Sequence, residues 1–219
     1  MDIDNKVSFP DLLGLSETDP EFVALFKQFA FQEVPKDLPF SLDERRYYLA
    51  TLAVLVGSQG FEAYKEILPV ALDNGVKAKE AFDKANHFGL GASNDAYAQY
   101  FIGQSYLNSL GATKDGVIAL HNVTFEPDCR NNWHIHHASK GGGQILICTA
   151  GEGWYQEEGK EAVSLSEGSV VIIPANVKHW HGAKKDSWFS HIVLGVPGED
   201  LSNEWCEAVS DEEYNQLKD

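Results

Sequence analysis

Apolar residues recur every three to four positions over the first part of the chain, then every second position. In the first stretch Phe22, Leu25, Phe26 and Phe29 follow Asp19-Pro20, where Asp suits an N-cap and Pro the first helical position. Ser41 and Glu44 are spaced as a capping box, and Tyr48, Leu49, Leu52, Ala53 and Leu55 follow at helical spacing, predicting a second helix to about Gly57. A third helix is predicted over 61–72. Pro69 should kink it or mark a shorter helix, and Asn74-Gly75 is a C-cap signal. A fourth, more polar helix is expected over 77–86. Residues 87–97 carry dense loop signals and read as a linker, with His87 at the surface.

From Tyr100 the pattern changes to short strands. These are expected at 105–109, before a turn at Gly111, and at 117–125, ended by Glu126-Pro127-Asp128. Others are expected at 133–136, 144–148 and 154–156, the last after a turn at Gly151-Glu152-Gly153. A hairpin at Glu158-Gly159 leads to strands at 162–165, 170–173, 179–182 and 188–194. Strands at this spacing with turn glycines predict a sandwich or barrel. Ser210 to Glu213 has the pattern of a capped terminal helix. The fold class expected is α+β, a helical segment 1–95 followed by an all-β domain 96–219.

Charge removes several partners. A formal net charge of −16 argues against nucleic acid or an anionic membrane surface, and the acidic residues read as a solvated surface. No window approaches the ~20 apolar residues that span a bilayer. The N-terminus lacks the basic and apolar regions of a signal peptide. Cys129, Cys148 and Cys206 are odd in number without CxxC spacing, so free thiols in a reducing cytoplasm are expected. Cys148 reads as core, and a nucleophilic role for Cys129 is the weaker reading.

The candidate chemistry lies in the histidines. On a strand, His134 and His136 project to the same side, which makes them half of a metal site. His181 is two residues after His179 and could share a pocket with it or be a hydrogen-bonded core residue. Arg130 could meet an anionic substrate or form a salt bridge at a barrel mouth. Trp133, Trp180 and Trp188 could line the pocket or belong to the core. His137 should point away from the metal, and His121 sits in a strand with no partner in view.

The spacing of His134-Ile-His136, Gln144, Gly151 and Pro174-Ala-Asn176-Val-Lys-His179 resembles the two motifs of the cupin superfamily. The resemblance implies a small β-barrel, a double-stranded β-helix or jelly roll, in which His134, His136, Gln144 and His179 hold one divalent metal. Residues 123–136, 178–182 and 190–191 are similar to cupins that act as manganese-dependent hydroxynitrile lyases. That likeness implies manganese and a proton-transfer role for His191. The loop from His137 to Gly143 is longer than in those lyases, which bears on pocket shape and substrate. Three imidazoles and a neutral amide leave the ion's charge uncompensated and should make it a strong Lewis acid. The N/O set suits Mn, Fe, Ni or Zn.

Residues 42–76 look like the central helices of the carboxymuconolactone decarboxylase family, over about residues 20–80. Where many members carry His, this chain has Ile67, and no Cys or His precedes His87. The helical half is therefore read as a non-catalytic packing or oligomerisation module, in a homo-oligomer of two or more chains. The two halves together resemble bacterial carboxymuconolactone decarboxylase–cupin fusions. The function expected is a metal-dependent lyase on a small hydroxy or carbonyl substrate, with His191 as acid–base. The alternatives are a carboxymuconolactone-type decarboxylase, an iron dioxygenase, and a non-catalytic cupin that binds a small molecule.

Overall fold

The computed structural model describes residues 43–218 apart from Gln59, together with Glu21, Ala24 and Leu25, which are helical. The expected Asp19-Pro20 cap, Phe22, Phe26, Phe29 and Ser41 lie outside the described residues. The chain divides into two compact units, up to Ala85 and from Asn86.

In the first unit, α1 (Glu44–Gly57) is capped by Asp43, whose carboxylate accepts from the Arg46 amide at 2.8 Å. The start is thus fixed one residue before Glu44 rather than by the expected box from Ser41. Helix α2 (Phe61–Asp73) runs through Pro69 and ends at Asn74, with Gly75 at φ +87°. That left-handed residue lets the Val76 amide reach back to the Ala71 carbonyl, closing the helix. Helix α3 (Ala78–Ala85) follows. Tyr48 and Leu52 bury against Ile67, Ala71, Val76 and Ala81. Among the described residues no helix is long and apolar enough to cross a membrane.

The second unit begins one residue before the expected linker and includes all of it. Asn86 is buried and donates to Ser190 at 3.1 Å, and β1 (Ala92–Ser93) pairs with β3 (Ser105–Ala112). A 3-10 turn, Asp95–Tyr100, leads to β2 (Phe101–Ile102). Strand β3 continues through Gly111 by a bulge, so the turn falls after Ala112 and not at Gly111. Next come β4 (Ala119–Phe125), β5 (Arg130–Asn131), β6 (His134–His137) and β7 (Lys140–Gly141). The long β8 (Gln144–Glu157) is followed by β9 (Val163–Ser166), β10 (Val170–Ile173), β11 (Lys178–Ala183) and β12 (Phe189–Gly195). Two short strands, β13 (Gly198–Glu199) and β14 (Ser202–Trp205), precede α4 (Asp211–Asn215), which carries the expected capping box from Ser210 to Glu213.

Two sheets share β8. Its first half pairs with β10 and β12, and β12 continues to β4 and β3. Its second half pairs with β9 and β11, and β11 continues to β5 and β6. The expected turn at Gly151–Gly153 is therefore a bend within one strand. Pairing slips by one residue between Ser190 and His191, and this bulge changes which residues face inward. Leu146 and Cys148 face the core before it, and Tyr155 faces the core after it. The core also holds Val123, Phe125, Leu165, Ile173 and Phe189. On the outer face, Trp133, Trp154 and Trp180 pack with Val209 and Tyr214 of the C-terminal tail.

Candidate metal centre

Strand β6 carries His134 and His136 on one face, and β11 brings His179 directly opposite His134. One ligand atom from each imidazole lies within 4.8 Å of the others. The ring centroids are 4.2 Å apart for His134 and His179 and 5.1 Å for His134 and His136. Gln144 opens β8, and its amide lies beside His136.

Hydrogen bonds set the tautomers. The Nδ1 of His134 faces the Asn132 carbonyl at 3.0 Å, and that of His179 faces the Val177 carbonyl at 2.9 Å. The Nδ1 of His136 faces Asn203 Oδ1 at 2.7 Å. Each partner is an oxygen acceptor, so each Nδ1 carries the proton and each Nε2 is left with a free lone pair. The Nε2 atoms of His136 and His179 and the Oε1 of Gln144 are buried with no hydrogen-bond partner. Unpaired buried acceptors converging on one point are what a cation would satisfy. Burial holds the His134 pKa well below 6.5, with His179 adding to the depression, and lowers His179 to about 4. Burial also lowers His136, against the raising effect of Asn203 and Gln144. Neutral imidazoles are the form that binds a metal. The residues present therefore fit one divalent ion.

Three of these donors, His134, His136 and Gln144, line a cavity of about 540 Å³. Its lining includes Phe101, Leu107, Val123, Val193 and Trp205, and among the described residues that line it none is Asp, Glu, Lys or Arg. Trp205 lies 4.9 Å from the His134 ring and stacks on Tyr100 at 4.4 Å. His181 and His191 are both buried, with His191 Nε2 3.2 Å from His181 Nδ1. Burial is the main cause that takes His181 far below 6.5, and it brings His191 to about 4. Asn131 accepts from the His181 backbone amide at 3.0 Å and sets its side-chain nitrogen 3.1 Å from the ring.

His191 reaches the cavity by a route the sequence reading does not anticipate. The segment after Ala183 is no hairpin. It carries the chain from the sheet of β11 to the facing sheet, where His191 pairs across from Val123 and Cys148.

Two expected pocket residues lie elsewhere. Arg130 is fully buried, but its guanidinium donates to the Val209 carbonyl at 3.2 Å, pairs with Asp211 and covers the Tyr214 ring at 4.3 Å. It clamps the C-terminal tail, because the chain leaves strand geometry between Asn131 and His134. Trp133 precedes His134 and so takes the opposite face, where Lys178 lies 5.6 Å over its ring. Trp180 is core for the same reason. His137 is bonded to Asn176 and to Glu204, and His87 is exposed. The Cys129 thiol, buried, is pushed up to about 12 and stays protonated, unlike a nucleophile.

Residues 121–193 match the cupin domain family. The chain is 36% identical over 126 residues to an (R)-mandelonitrile lyase of Granulicella tundricola, across 57% of this chain and 93% of that protein. The chain belongs to the cupins. A crystal structure of a cupin-like protein from Thermotoga maritima is 38% identical, covers 60% of this cupin chain and 96% of that chain, and superposes with a TM-score of 0.52. All four donors and His191 fall within the matched cupin residues.

Three contributors escape the sequence reading. Asn203 and Trp205 arrive on β14, which folds back to pair with β6. No local pattern marks that return. His121, by contrast, shares strand parity with Val123 and Phe125, and that parity alone points it inward.

Proposed function

We propose that the cupin unit is a metal-dependent lyase acting on a small neutral cyanohydrin-type substrate. The observation that carries this reading is one cavity, lined by no Asp, Glu, Lys or Arg among the described residues, that joins His134, His136 and Gln144 of the donor set to the imidazoles of His181 and His191. Without Lys or Arg to meet it, a polyanionic substrate would bury unpaired charge, which disfavours a carboxymuconolactone-type diacid. The likeness to the mandelonitrile lyase supports the same substrate class.

His134, His136, Gln144 and His179 would hold a divalent ion, for which manganese is our choice on the family resemblance. When bound it supplies a Lewis acid toward a substrate oxygen. Phe101, Leu107 and Trp205 take the apolar part of the substrate and exclude water. His191, kept neutral by burial, accepts the hydroxyl proton. The carbon–carbon bond then breaks, its electron pair leaves on the cyanide carbon, and the hydroxyl carbon becomes a carbonyl. The proton on His191 passes to cyanide, and hydrogen cyanide departs. His181, bonded to His191 and steadied by Asn131, orients the ring that carries the proton.

The test is cleavage of racemic mandelonitrile by natively purified protein, read as benzaldehyde release. Turnover that a chelator abolishes and Mn²⁺ restores is expected. Metal-loaded protein inert toward both aromatic and aliphatic cyanohydrins would overturn the reading.

A further inference from the structure

The cavity has a wall that the three histidine donors do not occupy, where Gln144 opens β8 beside β12. His134, His136 and His179 stand on β6 and β11, and β3, β4 and β12 belong to the other sheet. On β4, Val123 and Phe125 face the barrel core, so His121, two residues earlier, faces inward with them. It lines the cavity beside Leu107, Val123 and Val193. His121 pairs across from Val193, and His191 pairs across from Val123. The two imidazoles are thus diagonal neighbours on adjacent strands, about 7–8 Å apart at the backbone.

Among the described residues, His121 Nδ1 is shielded from solvent and has no hydrogen-bond partner. An unpaired shielded nitrogen costs stability, and an apolar residue such as the neighbouring valines would fill the place without that cost. The ring is also outside the metal-holding cluster, which is formed by His134, His136 and His179. An imidazole that lines a ligand cavity with a ring nitrogen unpaired among the described residues is placed to meet the ligand.

We propose that His121 is a further catalytic residue, whose ring N–H hydrogen-bonds the group that departs from the substrate. This rests on the lyase reading. On cleavage the carbon–carbon electron pair leaves on the cyanide carbon and the hydroxyl proton goes to His191. Cyanide therefore carries the negative charge until that proton reaches it. His121 Nδ1–H donates to this charge and gives up no proton. In the reverse direction the same N–H holds cyanide for addition to the carbonyl. His191 and His121 then divide the work, one taking the proton and the other steadying the charge.

The test compares full-length wild type, His121→Ala and His121→Gln, each with its metal content measured. Two readouts are taken: kcat and KM on mandelonitrile, and the affinity for azide, a stable linear anion, followed by imidazole ring signals in the zinc-loaded proteins. Metal content should be equal in all three. His121→Ala should lose roughly 10–100-fold in kcat, with KM within about twofold. Its azide affinity should fall roughly tenfold, and His121→Gln, which keeps an N–H donor, should recover part of both losses. Unchanged kcat together with unchanged azide affinity in His121→Ala overturns the proposal while leaving the lyase reading intact. If metal-loaded wild type cleaves no cyanohydrin, the lyase reading falls and azide decides alone. Tighter azide binding by wild type than by His121→Ala then supports the contact, and equal binding refutes it.

Discussion

At the scale of single residues, the centre depends on which ring nitrogen carries the proton. Asn203 fixes that choice for His136 through a 2.7 Å contact. Asn203→Ala should therefore keep the fold and weaken metal affinity roughly 10–100-fold, the usual cost of losing such a partner. Equal metal affinity by competition titration would remove Asn203 from the account. His191→Ala should retain the metal but lose roughly 10²–10⁴-fold in turnover, the range for a general base. Loss of metal in that variant would make His191 a ligand or a support instead.

The buried His191 also gives a pH dependence. Its pKa falls from 6.5 in the unfolded chain to about 4 in the fold, mainly through burial. As pH drops below 6.5 the unfolded chain takes up the proton first, so stability declines until pH is near 4. The urea midpoint of metal-free protein should be lower at pH 5 than at pH 7, and His191→Gln should flatten that slope. An identical slope in the variant would mean that His191 is not held neutral. His134 and His136 are legible in the sequence as candidate chemistry because strand alternation puts them on one face, and His191 is legible only through the family resemblance. Of the two readings of Arg130, the salt bridge holds, with Asp211, and the pocket reading does not, because the break between Asn131 and His134 leaves no local mark of direction.

At the scale of elements, the alternation of apolar residues revealed the strands but not where they bend. Gly151 reads locally as a turn, yet β8 passes through it and joins both sheets. Its φ of +71° is left-handed, and a Cβ there would come within 1.8 Å of the Trp188 carbonyl oxygen. Gly151→Ala should therefore destabilise the barrel by at least about 3 kcal/mol, combining backbone strain with a backbone clash. Chemical denaturation at wild-type stability would show that the two halves of β8 do not need this bend. The crossover between β11 and β12 goes unmarked for a related reason. Loop length alone does not say whether a chain returns to its own sheet or to the facing one. Helix ends fared better, since α2 and α4 carry their capping residues in the local sequence. The start of α1 moved to Asp43 because two acceptable caps lie close together.

At the scale of the molecule, two units meet at Ala85 and Asn86, and all the metal chemistry argued above belongs to the second. The expected linker proved to be barrel structure, because the Phe88 and Gly89 carbonyls accept from Asn108 and Asn122 and β1 pairs with β3. No local window could report that. A metal bound only by the folded barrel stabilises it by mass action. The barrel should then melt at a higher temperature with Mn²⁺ than after chelation. The most direct test of the centre itself is elemental analysis of natively purified protein beside the His134→Ala/His136→Ala double variant. The account predicts about one transition-metal ion per wild-type chain and none in the variant. Equal metal content in the two would contradict it.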